Sequence, residues 1–371
     1  MGNVALRIDG REYVDWKSVS LSRHLDESAD SFTFRAGPSI GARSIPARTL
    51  CEILEGGDTF CTGRIEVPHW TLSTRALEYR GRSLIGDLVT WDAEPGTYPN
   101  LSLLQLAETL AEPFRIVVMA DDDGGKPIPL VTVEPGEKVI AVLEREARPK
   151  GYLLVSDPVG MLRLMRPGMN HAHDVLEPPD VEEMELEIDG QQRPGVVRVR
   201  NELAWSSDAF GTDAQHEASV SDATTRAARQ LIITSEVPGS AEDARDRALY
   251  EMATRLAKSV GFHVTVPSWR QSNGDPWEPG LLVTCRCEWM ELDTEMLISD
   301  AEYTAGAEEK YGAVLTLKPP EAYLYGDPRL WGKTKRARKT LSGRPAAPRQ
   351  GTPLDDPWWE DAEREDGEGA E

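Results

Sequence analysis

Apolar and polar residues alternate with a period of two through much of the first ninety residues. Val4, Leu6 and Ile8 begin the pattern, and Asp9-Gly10 then supplies a dipeptide that favours the positive φ angles of a tight hairpin turn. Further apolar positions on this period are Val19, Leu21, Leu25, Phe32 and Phe34. Because short strands separated by such turns are typical of a small barrel or sandwich, we predict a first β-barrel-like domain over residues 1–95.

The period changes to that of an α-helix near residue 100. Ser102 opens the segment SLLQ, in which the serine hydroxyl can accept from the third amide while Gln105 reaches back to the first. The other elements predicted here are a buried strand over residues 114–118, a helix over 137–147 and a hairpin that turns at Asp157-Pro158. Together they predict a small α/β module over residues 96–180.

The β pattern returns after an acidic connector. The longest predicted helix begins at Ser240, whose partner Asp243 completes an N-terminal box, and Gly261 is predicted to cap its C-terminal end. Three more strands are predicted between residues 281 and 317, which gives a second β-barrel-like domain with one long helix over residues 185–325. The predicted fold class is mainly β with an α+β insertion, formed by two small β-barrel-like domains and a small α/β module.

The charge balance disfavours a protein that grips nucleic acid. The chain has 41 Lys and Arg against 63 Asp and Glu, a net charge of -22, and such a surface repels a phosphate backbone. No apolar run approaches the roughly 18 residues that a membrane-spanning helix needs. We therefore expect no specific nucleic-acid binding and no membrane span.

The C-terminal residues separate their charges into blocks. Residues 329–349 contain eight basic residues and no acid, whereas residues 355–371 contain nine acids and one Arg. Because this composition cannot bury enough apolar surface, residues 326–371 are predicted to form a charged, flexible tail. The run RLWGKTKRARKT is either a solvated linker or a site for an acidic partner, and Trp358 and Trp359 are candidate anchors of a docking peptide.

Two of the four cysteines, Cys285 and Cys287, lie one residue apart in the predicted strand LLVTCRCEW, with Trp289 on the same face. Free cysteine packs as a small hydrophobic residue, and zinc sites use paired ligands at spacings that this chain lacks. Both are therefore predicted to be inward-facing thiols. Cys51 and Cys61 are ten residues apart across a turn and can face each other on a hairpin. The chain start shows no secretory signal, so we expect reduced thiols and assembly in a cytoplasm.

Other candidate site residues carry weak signals. His171, His173 and Asp174 provide half a metal site, but no third histidine stands nearby, and two polar residues in a connector are the simpler interpretation. Clustered acids that general acid–base chemistry could use are Glu182, Glu183, Glu185 and Glu187. The usual catalytic motifs are absent from the sequence. We therefore expect no catalytic, metal-binding or cofactor-binding residues, and no cofactor.

Four blocks of sequence resemble the contractile-tail baseplate hub proteins typified by the hub of phage Mu, with more distant relatives in type VI secretion spikes. The blocks begin VALRIDGREYVDW, GRIEVPHWTLSTRALEYRGRSLIGDLV, LSLLQLAETLAEPFRI and GDPWEPGLLV, and they follow the family's order over residues 1–325. Matching positions in the second block are Gly63, Gly81, Arg82, Ser83, Asp87 and Leu88. The tail beyond Tyr325 departs from the pattern.

This resemblance implies a structural protein and no enzyme. It implies that the two β-rich segments are related barrels, and that three copies present six of them to join a threefold central spike to a sixfold tail tube. The implied partners are further copies of the chain, the spike protein and the tail tube or distal tail protein, with the tape measure and baseplate wedge proteins as additional candidates. The implied location is the tail baseplate of a virion, assembled in the host cytoplasm.

Two alternative functions remain open at this stage. A cell-wall glycan hydrolase carried on a tail would need two carboxylates about 5 to 9 Å apart in a cleft. A carbohydrate-binding or receptor-binding tail protein would need exposed aromatic residues, and ten tryptophans are available. Four of them lie in strand or turn patterns that predict burial: Trp16, Trp91, Trp277 and Trp289.

Overall fold

The protein is mainly β with an α/β insertion, which confirms the predicted fold class. The computed structural model describes residues 4–37, 45–73, 76–122, 124–191, 193–202, 215–222, 225–235, 241–307 and 310–323. The chain forms two compact units. Among the described residues, unit 1 comprises those within 4–185, 263–286 and 296–317, and unit 2 comprises those within 186–262, 287–295 and 318–323. Each unit therefore draws on separate stretches of sequence.

The N-terminal stretch supplies seven strands: β1 (Val4–Ile8), β2 (Arg11–Tyr13), β3 (Trp16–His24), β4 (Ser31–Ala36), β5 (Leu50–Glu55), β6 (Asp58–Thr71) and β7 (Ala76–Ser83). Asp9 and Gly10 have φ angles of 50° and 75°, so the predicted hairpin turn between β1 and β2 is confirmed. Leu6 and Leu21 are fully buried, as their period-two positions predict.

The α/β insertion contains α1 (Gly86–Thr90), β8 (Gly96–Leu101), α2 (Leu103–Ala111), β9 (Val118–Ala120), β10 (Ile128–Val133), α3 (Val139–Ala147), β11 (Leu153–Ser156) and β12 (Leu162–Met165). The capping box of Ser102 and Gln105 is present at the start of α2. The predicted strand over residues 114–118 is wrong. A 3₁₀ turn at Pro113 extends through Phe114, Arg115 has a φ of 58°, and extended structure begins at Val118.

The remaining elements are β13 (Glu183–Ile188), β14 (Val196–Glu202), β15 (Gln215–Ser221), β16 (Gln230–Ser235), α4 (Ala241–Lys258), β17 (Val260–Val266), β18 (Leu282–Cys287), β19 (Leu292–Gly306) and β20 (Gly312–Lys318). The three strands predicted between residues 281 and 317 are thus confirmed. Ser240 and the side chain of Asp243 lie outside the described residues. The predicted cap at Gly261 is wrong, because α4 ends at Lys258 and Gly261 lies inside β17.

Twelve strands form one sheet, which combines the N-terminal strands with β13 and with strands β17–β20. Its strand order is β13-β17-β20-β19-β3-β4-β7-β6-β5-β1-β2, and β18 pairs with β19. The N-terminal strands are joined to strands β17–β20 through the antiparallel pair β3–β19. This pair runs from Ser18 opposite Gly306 to His24 opposite Asp300. Seven consecutive residue pairs therefore hold together segments that are almost 300 residues apart.

Unit 2 contains a separate three-stranded sheet, in which β14 pairs antiparallel with β15 and parallel with β16. Helix α4 covers one face of this sheet, where Ala248 and Met252 share a buried cluster with Val197 and Val199. No helix among the described residues is both long and apolar enough to span a bilayer.

Two glycines of unit 1 make room for one aromatic ring. Gly63 on β6 and Gly81 on β7 both lie beside the buried ring of Phe32 on β4. A Cβ atom added to Gly81 would overlap the tip of this ring, and one added to Gly63 would overlap its edge and the Arg82 carbonyl. The absence of side chains therefore lets Phe32 pack directly against the two neighbouring strands.

We expect Gly81→Ala to destabilise the protein by about 1–3 kcal/mol, because the added methyl group overpacks the Phe32 site. The free energy of unfolding measured in urea tests this. Gly96→Ala is the matched control, since its Cβ would meet only Tyr98 at 3.9 Å, and we expect a change within about 0.5 kcal/mol. Equal stability of Gly81→Ala and the wild type would contradict the packing argument.

Candidate functional site

The two neighbouring cysteines face the interior of the protein. Cys285 and Cys287 on β18 are both buried, as predicted, and burial raises the pKa of the Cys285 thiol. The prediction for Trp289 is wrong, because β18 ends at Cys287 and Trp289 lies in the following turn with 87% of its surface exposed. A strand pattern holds only as far as the strand extends.

Cys51 and Cys61 are also buried free thiols. They lie on the same face of β5 and β6 but are not directly opposite, since Cys51 pairs with Gly63 and Cys61 pairs with Ile53. Burial raises the pKa of both thiols, which keeps them protonated and poorly nucleophilic. These cysteines therefore act as small packing residues.

The residues of the candidate half metal site bind other protein groups. Both carboxylate oxygens of Asp174 accept hydrogen bonds from Ser272, one from the backbone N–H and one from the hydroxyl. The backbone N–H of His173 donates to the side-chain oxygen of Gln271 at 2.6 Å. Within the described ranges, no three or more His, Cys, Asp or Glu side chains are grouped so that they could hold a metal ion. The segment is a connector fixed to the 271–272 turn.

The acids near residue 185 lie along one strand. Glu183, Glu185 and Glu187 are exposed at alternate positions of β13, which is the end strand of the twelve-stranded sheet. Glu182 pairs with Lys310 at 2.5 Å. Charged side chains on an end strand discourage pairing with strands of other molecules, so this pattern protects the edge.

Unit 1 encloses a charged network around Arg23 on β3. The guanidinium group is almost completely buried and lies 3.4 Å from Asp30 and 3.5 Å from Glu278. It also donates to the Phe60 carbonyl and lies over the rings of Phe60 and Tyr303 at 5.8 and 5.7 Å. Aromatic rings surround the guanidinium group, which is paired with carboxylates. We therefore assign the network a role in stabilising the fold.

The aromatic residues around Arg23 come from distant parts of the chain. Trp269 is fully buried, with its ring centroid 5.2 Å from Phe60, 5.3 Å from Tyr303 and 5.9 Å from Tyr311. Arg270 beside it donates to Glu55 and Asp58 at the turn between β5 and β6. The cluster thus connects the N-terminal strands to the residues that follow β17.

The predictions made from the sequence did not include one apolar surface, which lies at the end of the hairpin formed by β6 and β7. Trp70 is 59% exposed and Leu72 is 92% exposed. A detectable signal was the run HWTLSTRAL, which places large apolar residues at a hairpin end where polar residues are usual. This surface is the strongest candidate for protein binding in unit 1.

The other tryptophans divide between the interior and the surface. Trp277 is buried, as predicted, and Trp16 is half-buried and donates to the Val4 carbonyl. The predicted burial of Trp91 is wrong, because it follows α1 and is 52% exposed. Trp358 and Trp359 and the basic run of the tail lie outside the described residues.

Three known protein families match this chain in succession. Residues 3–83 match the family described as "Mu phage baseplate assembly protein GpP-like, N-terminal". Residues 86–166 match "Baseplate hub protein gp44-like, second domain", and residues 240–326 match "Mu phage baseplate assembly protein GpP, fourth domain". The order of these domains along the chain agrees with the resemblance inferred from the four sequence blocks.

Individual relatives extend over most of the chain. The baseplate hub protein gp44 of Escherichia phage Mu is 27% identical over 339 residues, which is 86% of this chain and 89% of that protein. The solved 43 kDa tail protein of prophage MuSo2 from Shewanella oneidensis is 27% identical, with a TM-score of 0.75 over 87% of this chain and 99% of that one. A component of the E. coli type VI secretion system shares the fold at 13% identity, with a TM-score of 0.53 over 85% of this chain and 76% of that one.

The fold and these matches define a phage tail baseplate protein. Over three successive stretches the chain is similar to domains of Mu-type baseplate hub proteins, as the sequence blocks indicated.

The buried Asp30 carboxyl makes stability depend on pH. Burial raises its pKa from 3.8 to about 7, although Arg23 opposes the shift. A carboxyl whose pKa is higher in the folded state stabilises the fold below its unfolded pKa, and this contribution is lost as the pH rises through about 7. We expect the free energy of unfolding of the wild type, relative to Asp30→Asn, to fall by more than about 1 kcal/mol between about pH 5 and pH 8. Urea unfolding across this range measures the difference.

His24 has a raised pKa through its hydrogen bond to Asp300, and its contribution has the same sign. Both proteins retain the His24–Asp300 hydrogen bond, which is the largest cause of the shift, so that part of the effect cancels. Asp30 also raises the pKa of His24 through its charge, so the remaining part is itself a consequence of Asp30. Parallel pH profiles for the wild type and Asp30→Asn would contradict the assignment of the effect to Asp30.

Proposed function

We propose that this chain is the structural hub of a phage tail baseplate, in which three copies join a threefold central spike to a sixfold tail tube. The observation that carries the proposal is the agreement of three baseplate domains in order, together with similarity to a phage Mu hub protein over 86% of the chain. In this role the protein works by binding other proteins and performs no reaction.

The proposed symmetry match rests on two barrels in each copy. The division of the chain into a first β-barrel-like domain (1–95), an α/β module (96–180), a second β-barrel-like domain (185–325) and a tail (326–371) is part of this proposal. Three copies would present six barrels to the tube and three equivalent surfaces to the spike. Such permanent interfaces bury large apolar areas, and the exposed residues Trp70 and Leu72 are available for one.

The proposed partners are other copies of the chain, the spike protein and the tail tube or distal tail protein, with the tape measure and wedge proteins as further candidates. The net charge of -22 supports protein partners over nucleic acid. The proposed location is the tail baseplate of the virion, after assembly in the host cytoplasm. The relatives are named as baseplate and tail proteins, which supports this location.

The purified full-length chain is expected to form trimers at micromolar concentration, because a hub interface of this kind is too large and apolar to stay exposed. Size-exclusion chromatography with light scattering measures the mass. A value three times that of the chain is the expected result. A homogeneous monomer at this concentration would contradict the proposal.

The alternative of a cell-wall glycan hydrolase has a direct test. We expect no clearing in a peptidoglycan zymogram, since a hub role requires no pair of catalytic carboxylates. Lysozyme in a neighbouring lane controls for substrate quality. A band of clearing at the mass of this chain would show that it hydrolyses glycan, and the assignment as a purely structural protein would then be wrong.

A further inference from the structure

The hairpin of β6 and β7 extends beyond the sheet to which it belongs. Pairing of β6 with β7 continues to Thr71 opposite Ala76. On one side, β5 pairs with β6 only as far as Arg64, and on the other side β4 pairs with β7 only as far as Glu78. Among the described strands, no other strand pairs with residues 67–73 or 76–77. We call these residues the arm.

One face of the arm continues the hydrophobic core. Tyr79 is fully buried and stacks on Phe34 at 4.9 Å. Pro68 lies opposite Tyr79, and Trp70 lies opposite Leu77 one step further out, so these residues share the face that Tyr79 presents to the core. Leu72 lies beyond Trp70. Pro68 and Leu77 are half-buried, whereas Trp70 and Leu72 are exposed, so the outer part of this apolar face is open to solvent.

Pro68 indicates how a partner would cover this face. Proline has no backbone N–H, and within sheets it is found mainly on strands whose edge has no neighbouring strand. A partner would therefore contact the side chains of the apolar face. Tryptophan in such a position is the residue type most often found at the energetic centre of protein interfaces.

The charge around the arm favours a second copy of this chain as the partner. Residues 64–82 contain four Arg and two Glu, whereas the whole chain has a net charge of -22. At the base of the arm, Arg80 and Arg35 both pair with Glu78 and Arg82 pairs with Glu66, so basic residues outnumber acids there. A basic segment on an acidic molecule is complementary to the general surface of another copy.

We propose that the arm of one copy packs its apolar residues, Trp70 and Leu77 with Leu72 in the adjoining turn, against the next copy, while the basic residues at the base of the arm face the acidic surface of that copy. Three such contacts would close a ring. The inference rests on the proposed trimer and names the surface that forms it. The contact is heterologous, because the arm of one copy meets a different surface on its neighbour, and contacts of this type close into rings when the rotation per copy is a simple fraction of a turn.

The first test removes the apolar face. The double variant Trp70→Ser, Leu72→Ser is compared with Trp91→Ser, which removes a tryptophan of unit 1 that is similarly exposed at 52%. Light scattering over a dilution series should show that the arm variant dissociates at a concentration at least about 30-fold higher than the wild type, since hot-spot residues contribute about 2 kcal/mol or more. Trp91→Ser should match the wild type, and circular dichroism should show that all three proteins are folded.

The second test leaves the apolar face largely intact. All four native cysteines are buried, so Leu72→Cys in the native protein can be labelled selectively with benzophenone maleimide. Illumination should produce covalent dimers and trimers of the chain. Val159→Cys is the control, because Val159 is 56% exposed at a turn of the α/β insertion, and it should give few such products.

The outcomes separate this inference from the proposed function. If the wild type is a trimer but the arm variant dissociates at the same concentration, the inference is wrong and the hub proposal stands. The same holds if the label at position 72 cross-links only within its own chain. A monomeric wild type would contradict the hub itself. If the double variant fails to fold, cross-linking between chains from Leu72 decides the question.

Discussion

The fold depends on the antiparallel pairing of β3 with β19. This pair joins Ser18–His24 to Asp300–Gly306, so the N-terminal strands cannot complete their sheet until the last quarter of the chain is present. Buried strands leave no unpaired backbone groups when they are joined in this way. In the order of the chain, the α/β insertion and strands β14–β16 both lie between the two segments that this pair joins.

The cluster around Arg23 stabilises the pairing of β3 with β19. Tyr303 on β19 and Phe60 on β6 enclose the guanidinium group, while Trp269 and Arg270 connect the same region to the β5–β6 turn. A buried charge is costly unless it is paired, so this arrangement penalises any alternative pairing of the strands. The arm is the continuation of β6 and β7 from this sheet, so the pairing that holds the sheet together also positions the arm.

The local elements were predictable and the long-range pairing was not. The turn at Asp9-Gly10 and the capping box of Ser102 follow from neighbouring residues, whereas the partner of β3 lies almost 300 residues away and leaves no local signal. Trp289 was misplaced because the alternation gave no sign of where β18 ends. Pro68 did carry information about the arm, since proline inside a strand marks an edge that lacks a neighbour.

The central claim is that copies of this chain complete one another around an axis. Electron microscopy of the purified protein, with class averages calculated without imposed symmetry, tests this claim most directly. The account predicts a closed ring of three equivalent copies. Single copies, or pairs related by a twofold axis, would contradict it.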